Sequence, residues 1–224
     1  MDIYVLTYSQ NLTWKELEGY LGCLTPARRR GILKKKQEPE RINALLSRLL
    51  VLSELTRRTG IPQNKISFEF GKHGKPYIKN SSLQFSLSHT KRAICAAFSA
   101  ISGNGGKPDA SSAGEIGEIG IDIERRDRRV DPAIYDRTLA ENEKPLVHSS
   151  EDFIRCWVQK EAFVKRTGFG IVSDLRGINT NILPDTAAFD YGDLIIGASG
   201  RGALDPSINA ISLNELLGRY VKIN

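Results

Sequence analysis

The 224 residues carry 32 basic and 26 acidic side chains, a formal net charge of +6, and 40% hydrophobic residues, enough for a core in one large or two small domains. No run nears the ~18 apolar residues of a membrane span, and the opening M-D-I-Y-V-L-T-Y alternates like a strand, unlike a signal peptide, so no membrane is expected. Cys23, Cys95 and Cys156 are isolated, odd in number and lack metal-ligand spacing, which fits a reduced, cytoplasmic protein, while the basic balance admits an acidic partner: nucleic acid, a phosphorylated ligand or an acidic protein.

Residues 2–8 read as a strand. Thr13 followed by Glu16 has the form of a capping box, predicting a helix from Trp14 to about Leu21. Thr25-Pro26 starts a second helix. Between Arg28 and Lys36 the chain places six bases in nine residues (Arg28, Arg29, Arg30, Lys34, Lys35, Lys36), either a solvated helical face or an anion-binding patch. From Glu40 to Thr59, Ile42, Leu45, Leu46, Leu49 and Leu52 mark one face of a helix ended by Gly60 and Pro62, with Arg41 and Arg48 two turns apart on one flank. A strand at Ile66–Phe70 leads to the basic turn Gly71-Lys72-His73-Gly74-Lys75-Pro76. Leu83–Ser88 alternates, ends in Ser88-His89-Thr90 at the expected tip of a hairpin, and is followed by an apolar strand to Phe98.

Ser99–Gly117 is rich in Gly, Ser, Ala and Pro and reads as a flexible connection dividing the chain into halves of similar length. The expected division is 1–105, a connection over 106–118, and 119–224. Residues 131–147 then read as a helix carrying Glu141 and Glu143 near its end. Another runs from an N-cap at Ser150 to Gly168, with Trp157, Glu161 and Lys165 in one row. Residues 177–224 read as short strands and turns.

The stretch richest in chemistry is Gly120-Ile121-Asp122-Ile123-Glu124. Its period of two puts Ile121 and Ile123 on one face of a strand and Asp122 and Glu124 on the other, about 7 Å apart. Paired carboxylates oppose each other's ionisation unless a cation compensates. Arg125, Arg126, Arg128 and Arg129 just beyond could supply it. So could a hard divalent ion such as Mg²⁺, which takes carboxylates, water and substrate phosphates.

These residues resemble a family. G-I-D-I-E at 120–124, followed by W-V-Q-K-E-A-F-V-K at 157–165, resembles the paired signature of the 4′-phosphopantetheinyl transferases. F-S-L-S-H-T at 85–90 and G-K-P at 74–76 match its upstream motifs in order. The length and the two halves resemble the pseudo-dimeric, surfactin-synthetase-activating branch. The resemblance implies an α+β fold of two similar halves in a pseudo-twofold arrangement, acting as a monomer, with the active site at their interface. It implies Mg²⁺-dependent transfer of the phosphopantetheine arm of coenzyme A to a serine of an acidic apo-carrier protein, acyl or peptidyl, releasing adenosine 3′,5′-bisphosphate. Asp122, Glu124 and Glu161 would hold the metal. Arg28, Arg41, Lys75, Ser88, His89, Lys160 and Lys165 would meet the coenzyme, and Glu161, Lys165 and His89 would serve catalysis. A competing reading is a basic nucleic-acid-binding protein or another Mg²⁺-dependent phosphate-handling protein; the few aromatic residues, not interleaved with the basic run, argue against nucleic acid.

Overall fold

The computed structural model describes residues 1–71, 74–79, 81–100, 119–168 and 174–220. Most of the expected connection, with Lys72 and His73, lies outside the described residues.

Strand β1 (Asp2–Thr7) opens the chain, followed by α1 (Trp14–Leu17), where the Glu16 carboxylate accepts from the backbone N–H and hydroxyl of Thr13 at 2.8 and 2.7 Å. The helix expected to reach Leu21 tightens at Glu18 into 3₁₀ turns through Cys23, a stretch where Gly19 and Gly22 weaken α-helix propensity. After α2 (Pro26–Leu33) comes α3 (Glu38–Thr59), which buries Ile42, Leu45, Leu46, Leu49 and Leu52 and stops at Gly60, whose φ of 70° is the left-handed conformation that glycine adopts without strain. Strands β2 (Phe68–Phe70) and β3 (Pro76–Ile78) form a small ribbon.

β4 (Leu83–Thr90) and β5 (Ala93–Ala100) form the expected hairpin, but its tip is Lys91-Arg92. Ser88 and His89 are therefore strand residues, opposite Cys95 and Ile94. After β6 (Gly120–Arg125), the single helix expected over 131–147 is broken into a 3₁₀ turn at Pro132–Ile134, α4 (Tyr135–Thr138) and a second 3₁₀ turn at Lys144–Leu146. Pro145 offers no N–H for a helical bond, and the Glu143 carboxylate instead accepts from the Ala140 N–H at 2.7 Å. α5 (Ser150–Thr167) is capped by Ser149, whose Oγ accepts from the Asp152 N–H, and closes at Gly168. Then follow β7 (Thr186–Tyr191), β8 (Leu194–Ser199), β9 (Ser207–Ile211) and α6 (Leu213–Gly218).

The larger sheet has the order β4-β5-β1-β9 and the other the order β6-β8-β7. β9 lies parallel to β1, Ile208 opposite Ile3, and α6 buries Leu216 among the leucines of α3. The expected cut into contiguous halves is corrected here: the last strand and helix complete the first half, because the β1 edge needs a partner and α3 has apolar surface to cover.

Period-two alternation builds the layers. Leu6, Ile94, Ala96 and Phe98 face α3, while Ile3, Val5, Cys95 and Ala97 pack on Ile121, Ile123, Ile196 and Ala198 of the second sheet. The far face of that sheet carries α5 through Ile154, Val158 and Ile195. The result is an α+β stack of helix, sheet, sheet and helix, each half a long helix on a sheet of mainly antiparallel strands. Among the described residues no helix is long and apolar enough to cross a membrane.

Candidate active site

The face of β6 that meets α5 carries Gly120, Asp122 and Glu124. A Cβ on Gly120 would lie 1.8 Å from the Ala162 carbonyl oxygen, and one on Gly197, opposite Asp122 on β8, would lie 2.1 Å from that of Val158. Helix and strand backbones thus come into direct contact, possible only where no side chain intervenes. That approach sets the row Trp157, Glu161 and Lys165 beside the acids of β6.

Lys165 Nζ donates to Asp122 Oδ1 at 2.5 Å and to Ser88 Oγ at 2.9 Å, and the Ser88 hydroxyl donates to the same Asp122 oxygen at 2.7 Å. Asp122 is only 6% exposed, so this charge is held by its partners rather than by water. Glu124 accepts from Thr90 Oγ1 at 3.1 Å and pairs with Arg128, whose guanidinium lies 5.3 Å from the centre of the Trp157 ring. Burial and the nearby Asp122 charge push the Glu161 carboxyl above its ordinary range, against the pull of Lys165. Glu124 is also raised, by burial and by Asp122, with Arg128 opposing.

The three acids expected to bind metal therefore feel one another's charge. Among the described residues, though, no three His, Cys, Asp or Glu side chains converge on a common point suited to a metal ion. Arg128, one of the four arginines the sequence offered, pairs with Glu124, and Lys165 of α5 pairs with Asp122. The donors themselves are hard oxygens, the chemistry that suits Mg²⁺, and the partner cations are side chains long enough to swing aside.

Beside the acids lies a cleft of about 580 Å³ between α3, β4 and the C-terminal end of α5. Ala44, Val51, Phe85, Leu87 and Pro76 give it apolar walls; Lys35, Arg48, Lys75, His89 and Lys165 give it bases; Glu161 lines it as well. His89 projects to the α3 side of β4, and the loss of water where it faces the cleft, with the charges of Lys165 and Lys35, pushes its imidazole below the ordinary value. Its neutral form can accept or donate a hydrogen bond near pH 7.

Of the remaining expected residues, one lies at the cleft and three do not. Lys75 lines the cleft, but its Nζ donates to the carbonyls of Ile119 at 3.1 Å and Arg166 at 2.9 Å, tying the β2–β3 ribbon to the second half. Arg28 sits 4.8 Å from the centre of the Phe68 ring and donates to the Ile66 carbonyl, and Arg41 donates to the Lys35 carbonyl; neither lines the cleft. Arg48 does, and its two-turn spacing from Arg41 was the signal that could have singled it out. Lys160 is the clear correction. It is fully buried against Glu143 and away from the cleft, because the residue before Glu161 on a helix points about 100° around the axis. Glu143 is buried too. Burial alone would raise its carboxyl, but hydrogen bonds from Lys160 and Thr180 outweigh that and hold it below the ordinary range.

Comparison with known proteins accounts for both halves. Residues 11–100 match the family model described as 4′-phosphopantetheinyl transferase, N-terminal, and residues 118–191 match that of the 4′-phosphopantetheinyl transferase superfamily. The 4′-phosphopantetheinyl transferase Sfp of Bacillus subtilis (strain 168) is 24% identical over 192 residues, covering 83% of this chain and 78% of its own. The 4′-phosphopantetheinyl transferase psf-1 of Bacillus pumilus is 28% identical, covering 64% and 58%. The L-aminoadipate-semialdehyde dehydrogenase-phosphopantetheinyl transferase of Saccharomyces cerevisiae is 27% identical, covering 77% and 64%. With one model matched up to residue 100, the other from residue 118, and the acids and bases of both halves meeting at one cleft, the chain belongs to the 4′-phosphopantetheinyl transferase superfamily.

Proposed function

We propose that this phosphopantetheinyl transferase moves the phosphopantetheine arm of coenzyme A onto a serine hydroxyl of an apo-acyl or apo-peptidyl carrier protein, using Mg²⁺ and releasing adenosine 3′,5′-bisphosphate. The observation that carries it is the double place of Lys165, which lines the base-rimmed cleft and bonds to Asp122 in the acid cluster. A diphosphate lying in that cleft reaches the acids and the lysine at once.

Lys35, Arg48, Lys75 and His89 suit the phosphates of a long anionic ligand, and the apolar walls suit its uncharged parts. Asp122, Glu124 and Glu161 would hold Mg²⁺, which supplies charge neutralisation and alignment at the pyrophosphate. The serine oxygen forms its bond to the phosphorus that bears the pantetheine arm as the bond to the bridging oxygen breaks. Glu161, which lines the cleft beside the acids of β6, accepts the serine proton. Lys165 turns from Asp122 to the departing bisphosphate and stabilises its charge. Exposed Arg30, Lys34 and Lys36 beside the half-exposed Leu33 give an acidic carrier a basic, partly apolar surface to meet. Both halves of the site sit on one chain, which suits action as a monomer, and three free cysteines suit the reducing cytoplasm.

Mass spectrometry of an apo-carrier protein incubated with the protein, coenzyme A and Mg²⁺ tests the reading. A gain equal to one phosphopantetheine is expected; an unmodified carrier overturns it.

A further inference from the structure

Among the described residues, the most buried ion pair takes no direct part in the chemistry just described. Lys160 is 0% exposed and Glu143 is 1% exposed. Lys160 Nζ donates to Glu143 Oε2 at 2.5 Å, to the Thr138 carbonyl at 2.5 Å and to the Leu175 carbonyl at 3.3 Å, which uses all three of its donors. Glu143 Oε2 also accepts from the Ala140 N–H at 2.7 Å, and Oε1 accepts from the N–H and the hydroxyl of Thr180, both at 2.7 Å. One lysine of α5 thereby grips two segments of turns and short 3₁₀ helix, 138–146 and 174–182.

Stability alone does not explain this arrangement. Desolvating two charges costs several kcal/mol, and apolar residues of the same volume often hold a fold as well or better. What a saturated, fully buried pair supplies is a single allowed geometry. Lys160 precedes Glu161, so a helix held at Lys160 cannot turn about its own axis at Glu161. The sheet side is fixed in depth by the contacts at Gly120 and Gly197 and is packed through Ile154 and Val158; Lys160, two residues or about 200° around the axis from Val158, ties down the opposite side of the helix. A turn of about 20° would carry an atom at the ~5–6 Å outer radius of the helix through roughly 2 Å. Misplacement by ~1 Å can cost about 100-fold in rate.

We propose that the Lys160–Glu143 pair is a positioning device that fixes the rotation of α5 and so aims Glu161 and Lys165 at the reacting groups. This rests on the transferase reading above. The pair touches neither substrate nor metal and acts through its neighbours on α5.

The test compares the protein with the double variant Glu143→Leu/Lys160→Met, which removes both charges at similar volume, and with the milder Thr180→Val, which deletes one hydroxyl contact to Glu143. Melting temperature, kcat and KM for coenzyme A are measured for each. The expected result is kcat at least tenfold lower in the double variant and about threefold lower in Thr180→Val, with KM for coenzyme A within about threefold of the parent because Lys35, Arg48 and His89, the cleft bases carried by α3, β4 and the chain before them, are untouched. If the double variant fails to fold, Thr180→Val alone decides. Unchanged kcat in a folded variant, or a loss confined to KM, overturns the proposal. Absence of transfer by the parent protein sinks the functional reading and this one together, whereas parental transfer with undiminished variants sinks only the positioning role.

Discussion

Lys165 and Asp122 come from different elements, 43 residues apart, and meet at 2.5 Å over the hydroxyl of Ser88. The lysine reaches the carboxylate from α5 and the serine reaches it from β4, so one oxygen of Asp122 joins three elements at the junction of the halves. Asp122→Asn keeps the shape and removes the charge. Phosphopantetheine transfer is expected to fall at least about 100-fold, the scale on which a preorganised electrostatic contact matters. The fold should survive, since Lys165 is about one-third exposed and water can take over its hydration. Transfer rate and thermal melting measured together check this, and wild-type activity in the variant would remove Asp122 from the site.

Gly197 lies opposite Asp122 in the β6–β8 ladder and beneath the backbone of Val158. Gly197→Ala would press a methyl group to within 2.1 Å of a carbonyl oxygen, and no rotamer change relieves a clash with backbone. Either α5 lifts or β8 bends, at a cost of about 1–3 kcal/mol, a melting temperature lower by roughly 2–10 °C, and transfer should drop at least tenfold as Glu161 and Lys165 move with the helix. Gly218→Ala is the matched control, since nothing lies within 4 Å of its added Cβ. Equal melting temperatures for the two variants would refute the close-packing argument.

Local pattern made much of this site legible before any fold was known. The alternation at 120–124 named the face with both carboxylates, and the i, i+4 row at 157–165 named the helix that opposes them. What pattern could not reveal depends on partners far along the chain. Nothing near 207–211 marks β9 as the parallel neighbour of β1, because edge pairing depends on what the rest of the sheet leaves open. Lys160 is indistinguishable in sequence from a ligand-binding lysine; its acceptors are a buried glutamate and backbone carbonyls brought in from 15 to 22 residues away, and the carbonyls that hold Lys75 at the cleft come from 44 and 91 residues away. The helix expected over 131–147 failed where Pro145 and the demands of Lys160 on Glu143 overrode propensity.

Glu54 sets an acid limit on stability. It is fully buried on α3; burial alone would raise its carboxyl, but hydrogen bonds from Arg57 and Arg219 outweigh that and hold it below the ordinary value near 4.5. Its folded-state pKa being depressed, its contribution is complete above the unfolded pKa and is lost as pH falls through the folded one. Glu143 acts in the same sense, while the raised Glu124 and Glu161 act in the opposite sense, so the contribution is read as a difference between proteins. Glu54→Gln should lower the melting temperature at pH 7 by a few degrees, about 1–2 kcal/mol once the half-exposed Arg57 is discounted. The gap from the parent should close as pH falls below about 4. Parallel melting curves from pH 7 to 3 would contradict the assignment.

Arg48 and Arg41 sit two turns apart on α3, yet only Arg48 lines the cleft; Arg41 is engaged with the Lys35 carbonyl. If the cleft receives the phosphates of coenzyme A, the two arginines differ in what they contribute. A charge-assisted hydrogen bond to phosphate is worth about 1.5–3 kcal/mol, or roughly ten- to hundredfold in binding. Arg48→Gln should therefore raise KM for coenzyme A about tenfold with little change in kcat, since the contact forms equally in the ground and transition states. Raising the salt concentration should weaken coenzyme binding less in this variant than in the parent, because one fewer charge is at stake. Arg41→Gln should leave KM within twofold. Steady-state kinetics on the two variants with one carrier protein decides it: a larger effect at Arg41 than at Arg48 would place the coenzyme outside the cleft.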